Sequence, residues 1–175
     1  NTALYAIDNI RDTATSMERI FVVEVMGRES GFIALQVALA GGCEDVIIPE
    51  RKYNFEEICH SIVEGNLRGK ISWIIVVAEG AGQATDIAKK INEMTGLETR
   101  AVVLGHIQRG GRPTAVSRML AIQLGQAAVD CLLKGESNKA VGMREGRIVT
   151  IDLASAIQKK KIEVDSLYNL VKKLT

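Results

Sequence analysis

A chain of 175 residues has the length of one domain, or of one domain and part of a second, and its 47% of hydrophobic residues supply ample core. The formal net charge of +1 creates no basic field, which argues against nucleic acid and anionic membrane as partners. Cys43, Cys59 and Cys131 are odd in number and lack a C-x-x-C spacing, so they read as buried, reduced thiols of a cytosolic protein. The sequence shows no signal peptide and no apolar stretch expected to span a bilayer. Lys159-Lys160-Lys161 reads as a solvated helix end, and no internal repeat or flexible linker interrupts the chain.

In chain order, Leu4, Ile7 and Ile10 recur at helical spacing, and Arg11-Asp12 should close that helix before a polar turn at Thr13 to Ser16. Ile20 to Val25 is a β-branched strand, with Met26-Gly27-Arg28 as the turn out of it. Gly31 to Ala40 reads as an apolar helix ended by Gly41-Gly42. Val46-Ile47-Ile48 is a short strand stopped by Pro49. Asn54-Phe55-Glu56-Glu57 is a capping-box pattern, and Ile58, Ile62 and Val63 give the helix behind it an apolar stripe. His60 lies in that helix without a partner pattern and reads as a surface residue. Ser72 to Val77 is a third strand with the exit Glu79-Gly80-Ala81-Gly82. Thr85 to Met94 is a helix stopped by Gly96, and Thr99 to Leu104 is a fourth strand whose run Ala101-Val102-Val103-Leu104 should be buried. Thr114 to Leu133 is a long helix. Val141 to Met143 and Arg147 to Ile151 flank Glu145-Gly146 as a hairpin. Asp152 should cap a helix to Gln158, and Val164 to Leu174 is a last, amphipathic helix.

Strand and helix alternate through residue 104, which makes the class α/β with a mostly parallel sheet and right-handed crossovers. Ligands of such a sheet bind beyond the carboxyl ends of its strands. Three exits here carry polar groups: Met26-Gly27-Arg28, Glu79-Gly80, and the glycine-rich turn that holds His106, Gln108, Arg109 and Arg112. Two arginines and a histidine suit a phosphate, and a carboxylate at Glu79 suits sugar hydroxyls. Each has a plainer reading, a basic surface turn for the histidine–arginine cluster and a helix-capping carboxylate for Glu79.

Leu104-Gly105-His106-Ile107-Gln108-Arg109-Gly110-Gly111 resembles the sugar-phosphate signature of the 6-phosphofructokinases, and Val23-Glu24-Val25-Met26-Gly27-Arg28 resembles a second signature of the same family, in the same order. The resemblance covers essentially the whole chain but corresponds to the second half of such an enzyme. The chain starts at Asn1 without an initiator methionine, and the family's nucleotide loops and catalytic aspartate loop are not seen. It implies a three-layer αβα sugar-phosphate and effector domain over residues 1–107. Residues 108–158 should return to the nucleotide-binding domain with a helix and β-hairpin, and residues 159–175 should pack back on the first domain.

It also implies roles. Met26, Gly27, Glu79, His106 and Arg109 would hold fructose 6-phosphate, with Arg28 beside the transferred phosphoryl group as the catalytic residue. Arg19 and Arg100 stand at the opposite, amino edge. Six residues at about 3.3 Å place each roughly 20 Å from its own strand's exit. The residues alone favour two surface arginines; the resemblance implies that they reach a sugar phosphate bound by a neighbouring subunit of a homotetramer. The same edge holds Arg11, Gly42-Cys43-Glu44, and Arg68 with Lys70, Ile71 and Ser72. These match an effector site for ADP and phosphoenolpyruvate, where Glu44 would help hold Mg²⁺ on the ADP. Some relatives place a second lysine where Ile71 stands, which leaves the strength of regulation open.

The function expected is therefore that of a cytoplasmic, glycolytic enzyme transferring the γ-phosphoryl group of ATP, with Mg²⁺, to fructose 6-phosphate, the isolated chain itself being inactive. The alternatives are a pyrophosphate-dependent enzyme, since the donor is chosen outside this half, and a non-catalytic sugar-phosphate or nucleotide sensor on the same half-fold.

Overall fold

The computed structural model describes residues 1–158 and 163–174; the Lys159-Lys160-Lys161 run lies outside them. The chain divides into two compact units, residues 1–109 with 163–174, and residues 110–158. In the first, α1 (Thr2–Met17), α2 (Phe32–Ala40), α3 (Phe55–Leu67), α4 (Ala84–Thr95) and α7 (Asp165–Leu174) cover a sheet of β1 (Ile20–Val25), β2 (Asp45–Ile47), β3 (Trp73–Ala78) and β4 (Thr99–Val103). The second holds α5 (Ala115–Leu133), β5 (Lys139–Arg144), β6 (Arg147–Asp152) and α6 (Leu153–Ala156).

The four-stranded sheet is entirely parallel, in the order β2-β3-β1-β4. Its central strands explain themselves: Trp-Ile-Ile-Val-Val-Ala in β3 is buried at every position, as a strand covered on both faces must be. Phe21, Val23, Val25, Ile74 and Val76 face one core with α1, α2 and Val171 of α7. Val22, Ile75 and Val77 face a second core with Ile58 and Ile62 of α3 and Ile87 and Ile91 of α4. Sheet and two helical layers make the expected αβα sandwich. Burying each of these large aliphatic side chains contributes about 1.5–3 kcal/mol relative to exposure. Gly65 lets α3 close onto β3, because a Cβ there would sit 2.4 Å from the Trp73 ring.

Several sequence expectations shift. The first helix does not stop at Arg11 but runs through the polar turn to Met17. Thr13, Thr15 and Ser16 donate their hydroxyls to the carbonyls of Asn9, Arg11 and Thr13, which keeps them helical. Glu18, at φ 52°, ends the helix. β4 is not a buried strand: it lies at the sheet edge, and Val103 is 54% exposed. β2 begins one residue early, at Asp45. Asn54 does cap α3, accepting from the Glu56 N–H, but Val63 turns outward and Cys59 takes the inward position. His60 is on the surface beside Glu64, 3.6 Å away.

In the second unit Thr114 caps α5, accepting from the Ser117 N–H. The hairpin turns at Glu145 and Gly146, both at positive φ, as a type I′ turn requires. Asp152 does not cap α6 with its side chain; it accepts from Lys139 Nζ across the hairpin at 2.7 Å. The three thiols are free, yet Cys131 is only half-buried, unlike Cys43 and Cys59. By length and composition alone α5 is apolar enough to cross a bilayer, which in a single helix is weak evidence of a span.

Candidate functional site

The sheet order brings the three polar exits side by side, β3 then β1 then β4. The helix after β1 joins one layer and the helix after β3 the other, so the crevice between these two strands is a topological switch point. Here the two exits interlock. Glu79 Oε1 accepts from the Gly27 N–H at 3.1 Å and the Arg28 N–H at 2.7 Å. That holds Arg28 at φ 52°, a left-handed conformation that an arginine adopts only when its surroundings impose it. Gly80 makes the approach possible, because a Cβ there would stand 2.0 Å from the Arg28 carbonyl oxygen. These N–H donors, with Arg109 and Arg28 nearby, hold the Glu79 carboxyl below its ordinary range. The anion and the turn it fixes therefore persist through neutral pH. Their contribution is lost only as pH falls through that depressed value.

The third exit is tied to the first. β4 runs into a short 3₁₀ turn, Gly105–Gln108, and Gln108 Oε1 accepts from the Met26 N–H at 2.8 Å. Arg109 closes the turn by donating its N–H to the His106 carbonyl. Met26, Gly27, Arg28, Glu79, His106 and Arg109 thus share one edge, and Arg109 is near enough to act electrostatically on Glu79. Arg112 belongs to the second unit. An open cavity of about 360 Å³ adjoins this edge, lined by Arg51, Lys52, Tyr53 and Gly80 among others.

At the amino edge, Arg19 and Arg100 converge on Glu98. Arg19 Nε lies 2.9 Å from Glu98 Oε2, and Arg100 pairs with Oε1 of the same carboxylate. The bond from Arg19, and next that from Arg100, hold the Glu98 carboxyl below its ordinary range. Nearby, Arg11 donates to the carbonyls of Gly41 and Gly42 at 2.6 and 2.7 Å. Its guanidinium and Lys70 Nζ stand 3.7 and 3.4 Å from Glu44 Oε1. Glu44 is buried, and its Oε2 accepts from the Ile74 N–H at 2.7 Å. Gly42 is at φ 61°, and burial above all pushes the Cys43 thiol up to about 12, which leaves it a neutral wall of the pocket.

The structure therefore joins Arg11, Gly42, Cys43, Glu44 and Lys70. It does not join Arg68, which is turned to Glu64 one helical turn back and is 71% exposed. Ile71 and Ser72 line a neighbouring crevice beside Trp73 and Leu97, with Lys70 bordering both. Among the described residues no cluster of three or more His, Cys, Asp or Glu could hold a metal by itself. One carboxylate beside two cations instead fits a metal that arrives already chelated by a diphosphate.

A family model described as phosphofructokinase matches residues 1–132. The chain belongs to the phosphofructokinase family. It is 48% identical over its whole length to the ATP-dependent 6-phosphofructokinase of Clostridium acetobutylicum, covering 55% of that protein. Identity to the ATP-dependent 6-phosphofructokinase of Clostridium botulinum is 46% over 170 residues, 97% of this chain and 53% of the relative. The chain thus spans about half the length of the curated relatives it matches. Among solved structures, phosphofructokinase from Saccharomyces cerevisiae superposes with a TM-score of 0.84 at 34% identity, over 89% of this chain and 22% of that one. The pyrophosphate-dependent phosphofructokinase from Marinobacter aquaeolei gives a TM-score of 0.76 at 22% identity, over 99% of this chain and 54% of that one, a likeness of fold alone.

In this phosphofructokinase chain, sequence reasoning missed the carboxylates and the amide that build the edges. Glu24 accepts from the Ala84 N–H at the start of α4, and Glu50 from the Gly31 N–H at the start of α2. Gln108 and Glu98 join them. Glu98 carried a usable signal, an acid two residues before Arg100, and Gln108 was visible in the glycine-rich turn without its tie to Met26; Glu24 and Glu50 gave none, since their partners lie 60 and 19 residues away.

Proposed function

We propose that this chain is the sugar-phosphate half of a cytoplasmic ATP-dependent 6-phosphofructokinase, which transfers the γ-phosphoryl group of ATP to fructose 6-phosphate. The observation that carries the reading is the interlocked carboxyl edge. Glu79, Gly80, Met26-Gly27-Arg28 and the Gln108-Arg109 turn hold two arginines near a carboxylate, with His106 on the same edge, at the switch point of a parallel sheet. In this proposal Arg109 and His106 bind the sugar phosphate, and Glu79 Oε2 accepts from a sugar hydroxyl. Arg28 neutralises charge on the phosphoryl group in transit, where positioning and electrostatics supply most of the catalysis. Mg²⁺ bound with ATP would add charge neutralisation at the phosphates. The sequence relatives named above are ATP-dependent, so a pyrophosphate donor is not favoured.

The second unit, in this reading, completes the nucleotide-binding domain, and α7 belongs with the first. The outward apolar face of α5, with Val116 at 78% and Leu132 at 71% exposed, is the kind of surface a further half of the domain would cover. The amino-edge pocket of Arg11, Glu44 and Lys70 is read as the effector site for magnesium ADP and for phosphoenolpyruvate. The pair Arg19 and Arg100 is read as serving a neighbouring subunit's sugar phosphate in a homotetramer.

Shared sites make a definite prediction. A full-length subunit carrying Arg100→Ala is mixed with one carrying Arg109→Ala, and hybrid oligomers are isolated. Some hybrid interfaces then pair two intact halves, so activity rises above that of either parent. Verified hybrids with no recovery would place Arg19 and Arg100 on an ordinary surface.

A further inference from the structure

The amino-edge pocket has a wall that the effector reading does not use. It has a cavity volume of about 50 Å³, and besides Gly42, Cys43, Glu44 and Lys70 it is lined by Val171 and Leu174 of α7. Those two side chains arrive from the far end of the chain, and what holds them there is specific. Asp45, next to Glu44, is 3% exposed. Its Oδ1 accepts from the Val46 N–H at 2.7 Å, and its Oδ2 accepts from Lys172 Nζ at 2.6 Å. The other end of α7 is tied by Arg51, which pairs with Asp165 at 3.0 Å and lies 4.2 Å over the Tyr168 ring. A buried carboxylate that loses the cation bonded to it either takes up a proton or breaks away toward water. In either case the last turn of α7 loses its fastening, and Asp45 is bonded directly to the residue that faces ligand.

We propose that the Asp45–Lys172 ion pair is a positioning device for this pocket: it seats Val171 and Leu174 beside Cys43 and Glu44 and thereby sets how tightly the pocket holds a magnesium nucleoside diphosphate. The ligand half of the proposal rests on the effector reading above; the seating half does not. Val171 is also packed into the core, so the ion pair sets the exact seat of the last turn of α7 rather than the docking of the whole helix.

The test uses the full-length protein that contains this chain and compares Lys172→Met, Lys172→Arg and the double variant Asp45→Asn/Lys172→Met with the unaltered protein. One readout is the half-maximal magnesium ADP concentration for shifting the fructose 6-phosphate saturation curve. Another is the alkylation rate of Cys43, followed by peptide mass, which needs no ligand. Melting temperature is the third. Lys172→Met raises the half-maximal concentration about five-fold or more and speeds Cys43 alkylation about ten-fold, because a freed α7 end uncovers the thiol. Lys172→Arg restores both. The double variant no longer buries an unpaired charge and recovers melting temperature, yet its ADP response stays weak and Cys43 stays reactive, which a merely stabilising pair would not produce. Unchanged ADP response in Lys172→Met, with the unaltered protein activated normally, overturns the proposal and leaves the effector reading intact. If the unaltered protein does not respond to magnesium ADP at all, the effector reading and the ligand half fall together. Cys43 alkylation then decides the seating half, and an unchanged rate in Lys172→Met overturns it.

Discussion

Replacing Arg109 by alanine in the full-length protein raises the KM for fructose 6-phosphate by about ten- to a hundred-fold. The estimate comes from losing one charge-assisted hydrogen bond to a phosphate, roughly 1.5–3 kcal/mol. The geometry singles out this arginine. It leaves the 3₁₀ turn at the end of β4, its backbone N–H is fixed on the His106 carbonyl, and the turn is fastened to β1 through Gln108 and Met26. A guanidinium carried on a fixed backbone loses less freedom on meeting a phosphate than one on a loose turn. His106→Ala costs less, since histidine offers a weaker donor near neutral pH. Steady-state kinetics at varied sugar phosphate reads both, and an unchanged KM in Arg109→Ala removes Arg109 from the site.

Glu44→Ala abolishes activation by magnesium ADP while leaving turnover at saturating sugar phosphate in place. Glu44 is buried among Arg11 and Lys70 and also accepts from the Ile74 backbone. A carboxylate inside a cationic pocket repels a bare phosphate, and a diphosphate-bound Mg²⁺ reverses that sign by bridging the two. The response to phosphoenolpyruvate, which needs no metal, therefore changes less. Allosteric couplings of about 1–3 kcal/mol make the loss visible in saturation curves. Because Glu44 also bonds β3, Glu44→Gln is the companion variant: it keeps an acceptor for the Ile74 N–H but removes the charge the metal needs. If both variants respond to ADP over the unaltered concentration range, Glu44 is only a turn residue.

The layers of the fold were legible because their signals are local. Alternating apolar runs and capped amphipathic helices through residue 104 led directly to a parallel αβα sandwich, and Asn54 capped α3 much as its spacing indicated. What misled was context. Ala101 to Leu104 has the composition of a buried strand, but only sheet order decides which strand lies at the edge. Thr13 to Ser16 has the composition of a turn, but back-bonding hydroxyls let a helix continue. At the site, the motif strings pointed to Arg28 and Arg109 and the strand exit to Glu79, whereas Glu79 also holds the Arg28 turn through backbone donors that no side-chain pattern reveals. The Asp45–Lys172 pair spans 127 residues, beyond any periodicity.

The central claim is that this carboxyl edge binds the acceptor sugar of an ATP-dependent phosphoryl transfer. The most direct measurement is a coupled assay of the purified full-length protein with fructose 6-phosphate and Mg²⁺, supplied in parallel with ATP or with pyrophosphate. The account predicts fructose 1,6-bisphosphate with ATP and none above background with pyrophosphate. Product formed only with pyrophosphate, or with neither donor, would contradict it.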